Sequence, residues 1–392
     1  MTGFQLGLNQ KFDTEEDIND KLVDLKNGVT VANFGGNSYG IGACKAIAAK
    51  LKEIETLEIA NLDDMFTGRL REEIPDSMDL LLSALLECPN LHTVNLSDNA
   101  FGIATVAPLE KFLAEHTPLQ HLILANNGFG PEAGSRVGAA LEKLAAKKKE
   151  LNHPVKLETV ICGRNRLENG SMEAWARFLK AHGSVKDLRL YQNGIRQEGI
   201  EHLMLEGLKY SPDLHTLDLQ DNTFTEQGSR AMASVITEWP SIKKISVSDC
   251  LLSAKGAVIL AEEFKNNNLK GLEYLHLQYN EIDEEGLAVI VEALETNLEN
   301  LKLLELNGNC FSEEHQHVDS INTVFKTRGF GELDELDDME IESDEESEEE
   351  DEEDDELETA ARDAELAEDE PVAAESDADV DNIAKKLEKT TI

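Results

Sequence analysis

The side chains best suited to chemistry are dispersed along this 392-residue chain. His92, His121, His182, His215 and His276 lie tens of residues apart, whereas a metal site needs such groups convergent at short range. They read as surface residues rather than ligands. Cys44, Cys88, Cys162, Cys250 and Cys310 form no CxxC pair and read as buried, reduced thiols of an intracellular protein. Two glycine-rich runs, Gly35–Gly40 and Gly128–Gly134, follow strand-like segments and precede helix-like ones. Neither has the spacing of a dinucleotide fingerprint or of GxxxxGK[ST], and no HExxH pair occurs. What remains can recognise rather than react. Arg69 and Arg71 lie in the stretch from Asp63 to Pro75, beside a Met65-Phe66 pair that reads as exposed. A row of polar residues recurs at a fixed place in a repeat.

That repeat must position everything else. The pattern L-x-x-L-x-L-x-x-N, with Cys allowed last, appears as Leu91-Val94-Leu96-Asn99 and Leu119-Leu122-Leu124-Asn127. It returns at Leu157–Asn165, Val185–Asn193, Leu214–Asn222, Ile242–Cys250, Leu272–Asn280 and Leu301–Asn309, and two weaker copies end at Asn37 and Leu62. L-x-L spacing is a short strand with alternate side chains inward. The closing Asn turns in and bonds the adjacent repeat. A helix follows, as at Val137, Ala140, Leu141 and Leu144, which share one helical face. No single repeat buries its own apolar face, so the copies must stack. The fold class is therefore α/β: a leucine-rich-repeat solenoid of about ten to eleven repeats, parallel sheet on the concave face and helices on the convex face. Residues 1–330 make this domain. Val318, Ile321, Val324 and Phe325 suggest a last capping helix.

Residues 331–392 hold 30 acids against 4 bases and read as a disordered acidic tail, with at most a helical turn or two around Ile383 and Leu387. The body holds 49 acids against 32 bases. Its field repels nucleic acid and anionic membranes and attracts a basic protein surface. No run is long and apolar enough to span a bilayer, and the N-terminus has no signal-peptide pattern. Lys147-Lys148-Lys149 reads as a solvated helix end, and the leucine run 80–86 fits an export signal or a buried helix alike. The place before each closing residue is filled by Gly36, Asn61, Asp98, Asn126, Arg164, Gln192, Asp221, Asp249, Tyr279 and Gly308. This row faces the rim. A structural column would be uniform, so its varied chemistry suits a binding edge.

Several stretches go beyond repeat consensus. They include Met65-Phe66-Thr67-Gly68-Arg69, Leu96–Gly102, Asn126-Asn127-Gly128, Cys162–Ser171, Leu219–Phe224 and Thr327–Asp338. In these the chain resembles the Ran GTPase-activating proteins across residues 30–340. It is similar to the shorter, fungal-type members, without the C-terminal SUMO-acceptor domain of animal ones. The resemblance implies a regulator without substrate chemistry or cofactor of its own. Its partner is Ran in the GTP state, which carries the GTP and Mg²⁺, with a Ran-binding protein as a further candidate. It implies a cytoplasmic or perinuclear place and a role in nucleocytoplasmic transport. The family positions the GTPase's own catalytic glutamine rather than inserting an arginine finger, and its positioning Asn matches Asn126. Arg69 matches the activity-linked arginine, read as docking the partner rather than as a finger, with Arg71 as helper. Asp98, Arg164, Asp221 and Asp249 are further partner contacts on the rim. The competing reading is a scaffold or inhibitor of ribonuclease-inhibitor type that blocks a basic partner. An acidic-tailed histone-binding protein fits the tail but has shorter repeats.

Overall fold

In the computed structural model, which describes residues 2–267 and 269–340, the strands of all repeats join one parallel sheet. Twelve strands of two or three residues follow one another in chain order, from Gly3–Gln5 to Glu332–Leu333. Register is kept from copy to copy: Val94 sits opposite Leu122, Leu122 opposite Val160, and Val160 opposite Leu188. These middle residues are fully buried, each contributing about 1.5–3 kcal/mol of apolar burial. Their neighbours face the open side. Helices such as Gly130–Glu150 and Glu168–His182 cover the other side. Strands stack about 4.8 Å apart but helices need about 10 Å, so the sheet lies on the inner side of the arc. This is a leucine-rich-repeat solenoid.

A line of asparagines knits the repeats together. Asn127 Nδ2 donates to Leu96 O at 3.0 Å and Leu124 O at 2.9 Å, while its Oδ1 accepts from Asn99 N–H at 3.0 Å. Asn165, Asn193, Asn222, Asn280 and Asn309 repeat the arrangement, and all are buried. The same bonds correct one register. In the second copy the ladder place belongs to Met65, whose N–H donates to Asn99 Oδ1 at 2.9 Å, not to Leu62. Asp64, not Asn61, is therefore its rim residue, and Asn61 belongs to the strand Ile59–Asn61.

Other expectations shift as well. Met65 and Phe66 are buried, not exposed. Lys148 is buried, with its ammonium on the Leu119 and Val155 carbonyls, and that burial pushes its pKa down to about 8. The leucine run belongs to the helix Glu73–Leu85, which buries Leu81, Leu82 and Leu85. Four cysteines are buried, and Cys310 is half-buried. His92 and His121, a repeat apart, pack ring to ring at 6.2 Å. The capping helix runs Gln316–Arg328.

The body also continues past residue 330. Glu332–Leu333 adds a strand, and the Asp334 carboxylate accepts from Leu306 N–H at 2.7 Å and Asn307 N–H at 3.1 Å. Asn307 Nδ2 donates to Asp337 at 2.8 Å and Tyr279 Oη to Asp338 at 3.1 Å. These first acids of the expected tail stand in for a next repeat. The rest of the tail, with Ile383 and Leu387, lies outside the described residues.

Candidate functional site

Directly before each ladder residue the chain turns through the left-handed region. Gly36, Asp64, Asp98, Asn126, Arg164, Gln192, Asp221, Asp249, Tyr279 and Gly308 all have φ between 46° and 74°. Gly, Asn and Asp tolerate that conformation best. So the row is uniform in backbone although it varies in side chain, and the contrast drawn from sequence between a structural and a binding column does not hold. Most of its polar residues have a backbone reason. Arg164, Gln192 and Tyr279 do not. Among the candidates, Asp98, Asn126, Arg164, Asp221 and Asp249 are all exposed.

Three candidates come together. Arg71, Asp98 and Asn126 line one cleft of about 520 Å³, with Ile74, Ala100–Thr105, Asn127 and Gly128. Asn126 Nδ2 donates to Asp98 Oδ1 at 2.7 Å. Beneath, the buried rings of Phe101 and Phe129 lie 6.4 Å apart. Ile103, on the short turn Ile103–Thr105, is 46% exposed in the wall. The Thr105 hydroxyl donates to Phe101 O at 2.9 Å. The lining thus offers a carboxylate, a guanidinium and amides, groups that orient a partner rather than attack it. Arg164 follows next to Asn126 in the row, and Asn126 N–H donates to Gly163 O at 2.9 Å. Asp221 and Asp249 share the edge but sit three and four repeats away from Asn126, outside the cleft. Of the lining, Ile103 gave no sequence signal, whereas Ala100-Phe101-Gly102 lay inside a quoted stretch.

Arg69 is placed otherwise than expected. Its side chain is only 5% exposed. Nε donates to Ser38 Oγ at 2.8 Å, and Nη2 to the Phe12 and Ser38 carbonyls at 2.9 Å each. Nη1 pairs with Asp13 and holds that carboxyl below its usual range. A guanidinium so committed is not available to dock a partner or enter one. It ties the first, small sheet, Lys11–Phe12 with Ser38–Tyr39, to the insert. Arg71, two residues on, is exposed and has no hydrogen-bond or ion-pair partner among the described residues.

A leucine-rich-repeat family model matches residues 271–291. Over 325 residues the chain is 42% identical to Ran GTPase-activating protein 1 of Saccharomyces cerevisiae, covering 80% of each. The chain belongs to the Ran GTPase-activating protein family. The Drosophila melanogaster Ran GTPase-activating protein is 32% identical over 308 residues, 77% of this chain and 51% of that one. The ribonuclease inhibitor of Sus scrofa is 28% identical over 222 residues, 56% of this chain and 45% of that one. Against the family, the clustering of Asp98 and Asn126 with a free Arg71 gains meaning: the rim of this Ran GTPase-activating protein homologue carries exposed polar groups at the mouth of a cleft.

Proposed function

We infer that this chain is a GTPase-activating protein for Ran, and that it acts on the GTP-bound state through the cleft at Asp98 and Asn126. The observation that carries the reading is the 42% identity over most of both chains. The mechanism rests on the cleft's chemistry. GTP hydrolysis needs an oriented water and charge stabilisation at the phosphates, and little covalent help. A short exposed amide on a rigid rim can hold the GTPase's catalytic glutamine in place, and the cleft walls can exclude bulk water. Asn126 is assigned that positioning role. Arg69 acts indirectly, by ordering the insert that carries Arg71. Arg71 and Arg164 meet acidic groups of the GTPase, and Asp221 and Asp249 meet basic ones. GTP and Mg²⁺ stay with the partner, and this chain supplies no nucleophile. A Ran-binding protein is a further candidate in the complex. The buried thiols suit a reducing compartment, in keeping with a cytoplasmic place and a part in nucleocytoplasmic transport.

The experiment is single-turnover GTP hydrolysis by Ran with the full chain, compared with Asn126→Ala. Acceleration of the order of 10⁵-fold is the scale of GTPase activation. Acceleration that Asn126→Ala largely removes while binding persists supports the reading. Binding of Ran–GTP without faster hydrolysis would leave a blocking scaffold of ribonuclease-inhibitor type.

A further inference from the structure

An amide has two faces, and only one serves the function proposed above. A glutamine that orients an attacking water must keep its carbonyl oxygen free to accept from that water. A neighbour that holds the glutamine must therefore grip its NH2 group, and for that the neighbour must present an acceptor. Asn126 carries an acceptor, Oδ1, and two donors on Nδ2, and an exposed amide can sit either way round. Asp98 removes the ambiguity. A carboxylate only accepts, so the group it faces is the Asn126 NH2, which donates at 2.7 Å. The Asn126 carbonyl oxygen is thereby turned away from Asp98.

The pairing is held by backbone. Asp98 N–H donates to Ala125 O and Asn126 N–H to Gly163 O, both at 2.9 Å. Both residues share the left-handed conformation, φ 60° and 55°. The next residue of each, Asn99 and Asn127, is buried and bonded to the other at 3.0 Å. The two side chains leave adjacent, parallel points on a rigid edge.

We propose that Asp98 is a positioning residue for GTPase activation: its carboxylate sets the Asn126 amide so that an oxygen, not an NH2 group, meets the GTPase. The cleft then selects a donor, the NH2 of the catalytic glutamine. This rests on the function proposed above and adds to it which atom of Asn126 works and what makes it so.

A double-mutant cycle on the full chain tests it. The readouts are single-turnover hydrolysis by Ran at saturating activator and, separately, affinity for Ran loaded with a non-hydrolysable GTP analogue. Asp98→Asn keeps shape and tolerates the same backbone, but offers an NH2 of its own and frees the Asn126 amide to turn. The expected result is a fall of about tenfold in saturated hydrolysis, the scale of one charged hydrogen bond, with affinity within about twofold. In an Asn126→Ala background the same change costs nothing more. Asp98→Gly, which also suits the conformation, repeats the test with the carboxylate gone. The proposal is overturned by a loss confined to affinity, or by an equal loss in both backgrounds, since either places Asp98 directly on the GTPase. Asn126→Ala alone separates the failures: if it leaves hydrolysis unchanged, the function of Asn126 falls before any question about Asp98 arises.

Discussion

Asn126 and Asn127 are the same residue type, one position apart, and the fold uses them in opposite ways. Asn127 is buried, and its amide is consumed by the Leu96 and Leu124 carbonyls and by Asn99. Asn126 is exposed and carries one side-chain bond, to Asp98. The contrast extends along the molecule as two parallel columns. In the ladder, stacking leaves carbonyls of two repeats pointing at one spot, and only a short amide satisfies them, with Cys250 and Met65 as the exceptions. In the rim the backbone is just as uniform, but the side chain is released to solvent. Uniform backbone thus dictates sequence where the side chain is enclosed and only restricts it where the side chain is free.

The largest effects should separate the two columns. Asn126→Gly keeps the left-handed turn, so urea unfolding should move by no more than about 0.5 kcal/mol. Hydrolysis should fall by about 100-fold or more, the scale of a lost preorganised group. Asn127→Ala should do the reverse. It leaves the buried Asn99 N–H without its acceptor and takes one of two amide donors from the Leu96 and Leu124 carbonyls, at about 2–3 kcal/mol, while hydrolysis per folded molecule stays near wild type. A tolerated Asn127→Ala that abolishes hydrolysis would erase the distinction between the columns.

Arg69 and Arg71 reproduce the contrast within one insert. Removing the Arg69 guanidinium strips donors from the Phe12 and Ser38 carbonyls and the Ser38 hydroxyl. Arg69→Ala should cost about 2 kcal/mol and speed amide exchange around residues 10–14 and 36–40. Activity should fall as a consequence of that loosening. If exchange and stability stay put and hydrolysis collapses, Arg69 reaches the GTPase directly, and the burial seen here is not its working state.

How much of this was legible beforehand follows the same line. Stacking makes strand, ladder and helix depend on spacing, so eight copies, the inner face and the last helix could be read from Leu and Asn positions alone. The second copy was misread because Met65 fills the ladder place and breaks the pattern. The end of the body was misread because Asp334, Asp337 and Asp338 look like tail by composition, yet their carboxylates take the hydrogen bonds a further repeat would supply. At the site, periodicity placed Asp98 and Asn126 in one row. It could not show that Arg69 is spent on residues 31 to 57 positions away, because nothing local in Thr67-Gly68-Arg69 encodes a contact with Ser38 or Phe12.

A smaller effect probes buried polar groups away from both columns. The Nε2–H of His116 donates to Leu91 O at 2.7 Å, and that of His182 to Leu141 O at 2.9 Å. Burial pushes both pKa values down to about 4 from 6.5. Below 6.5 the unfolded chain binds protons that the folded chain refuses, so stability is full above that pH and falls as pH drops towards 4. The loss at pH 5 should be on the order of 1–2 kcal/mol for each histidine. His116→Gln, with a donor and no titration, should flatten its share of the slope. A slope unchanged by His116→Gln would mean that the His116 ring takes up its proton as readily in the folded chain as in the unfolded one.

Arg71 should give the smallest effect and the sharpest contrast with Arg69. It is exposed and bonded to nothing among the described residues, so Arg71→Ala should leave urea unfolding within about 0.5 kcal/mol of wild type. Its loss should slow association with Ran–GTP by about three- to tenfold at low salt, and the gap should narrow as ionic strength approaches about 0.15 M. The lysine variants then separate the two arginines. A point charge on a flexible stem is enough for steering, so Arg71→Lys should restore association. Arg69 uses the planar fork to serve several acceptors at once, which an ammonium cannot match, so Arg69→Lys should remain close to Arg69→Ala. A salt-independent defect at Arg71, unrelieved by lysine, would instead mark a shaped contact with the GTPase and move Arg71 from the lip of the cleft into its working part.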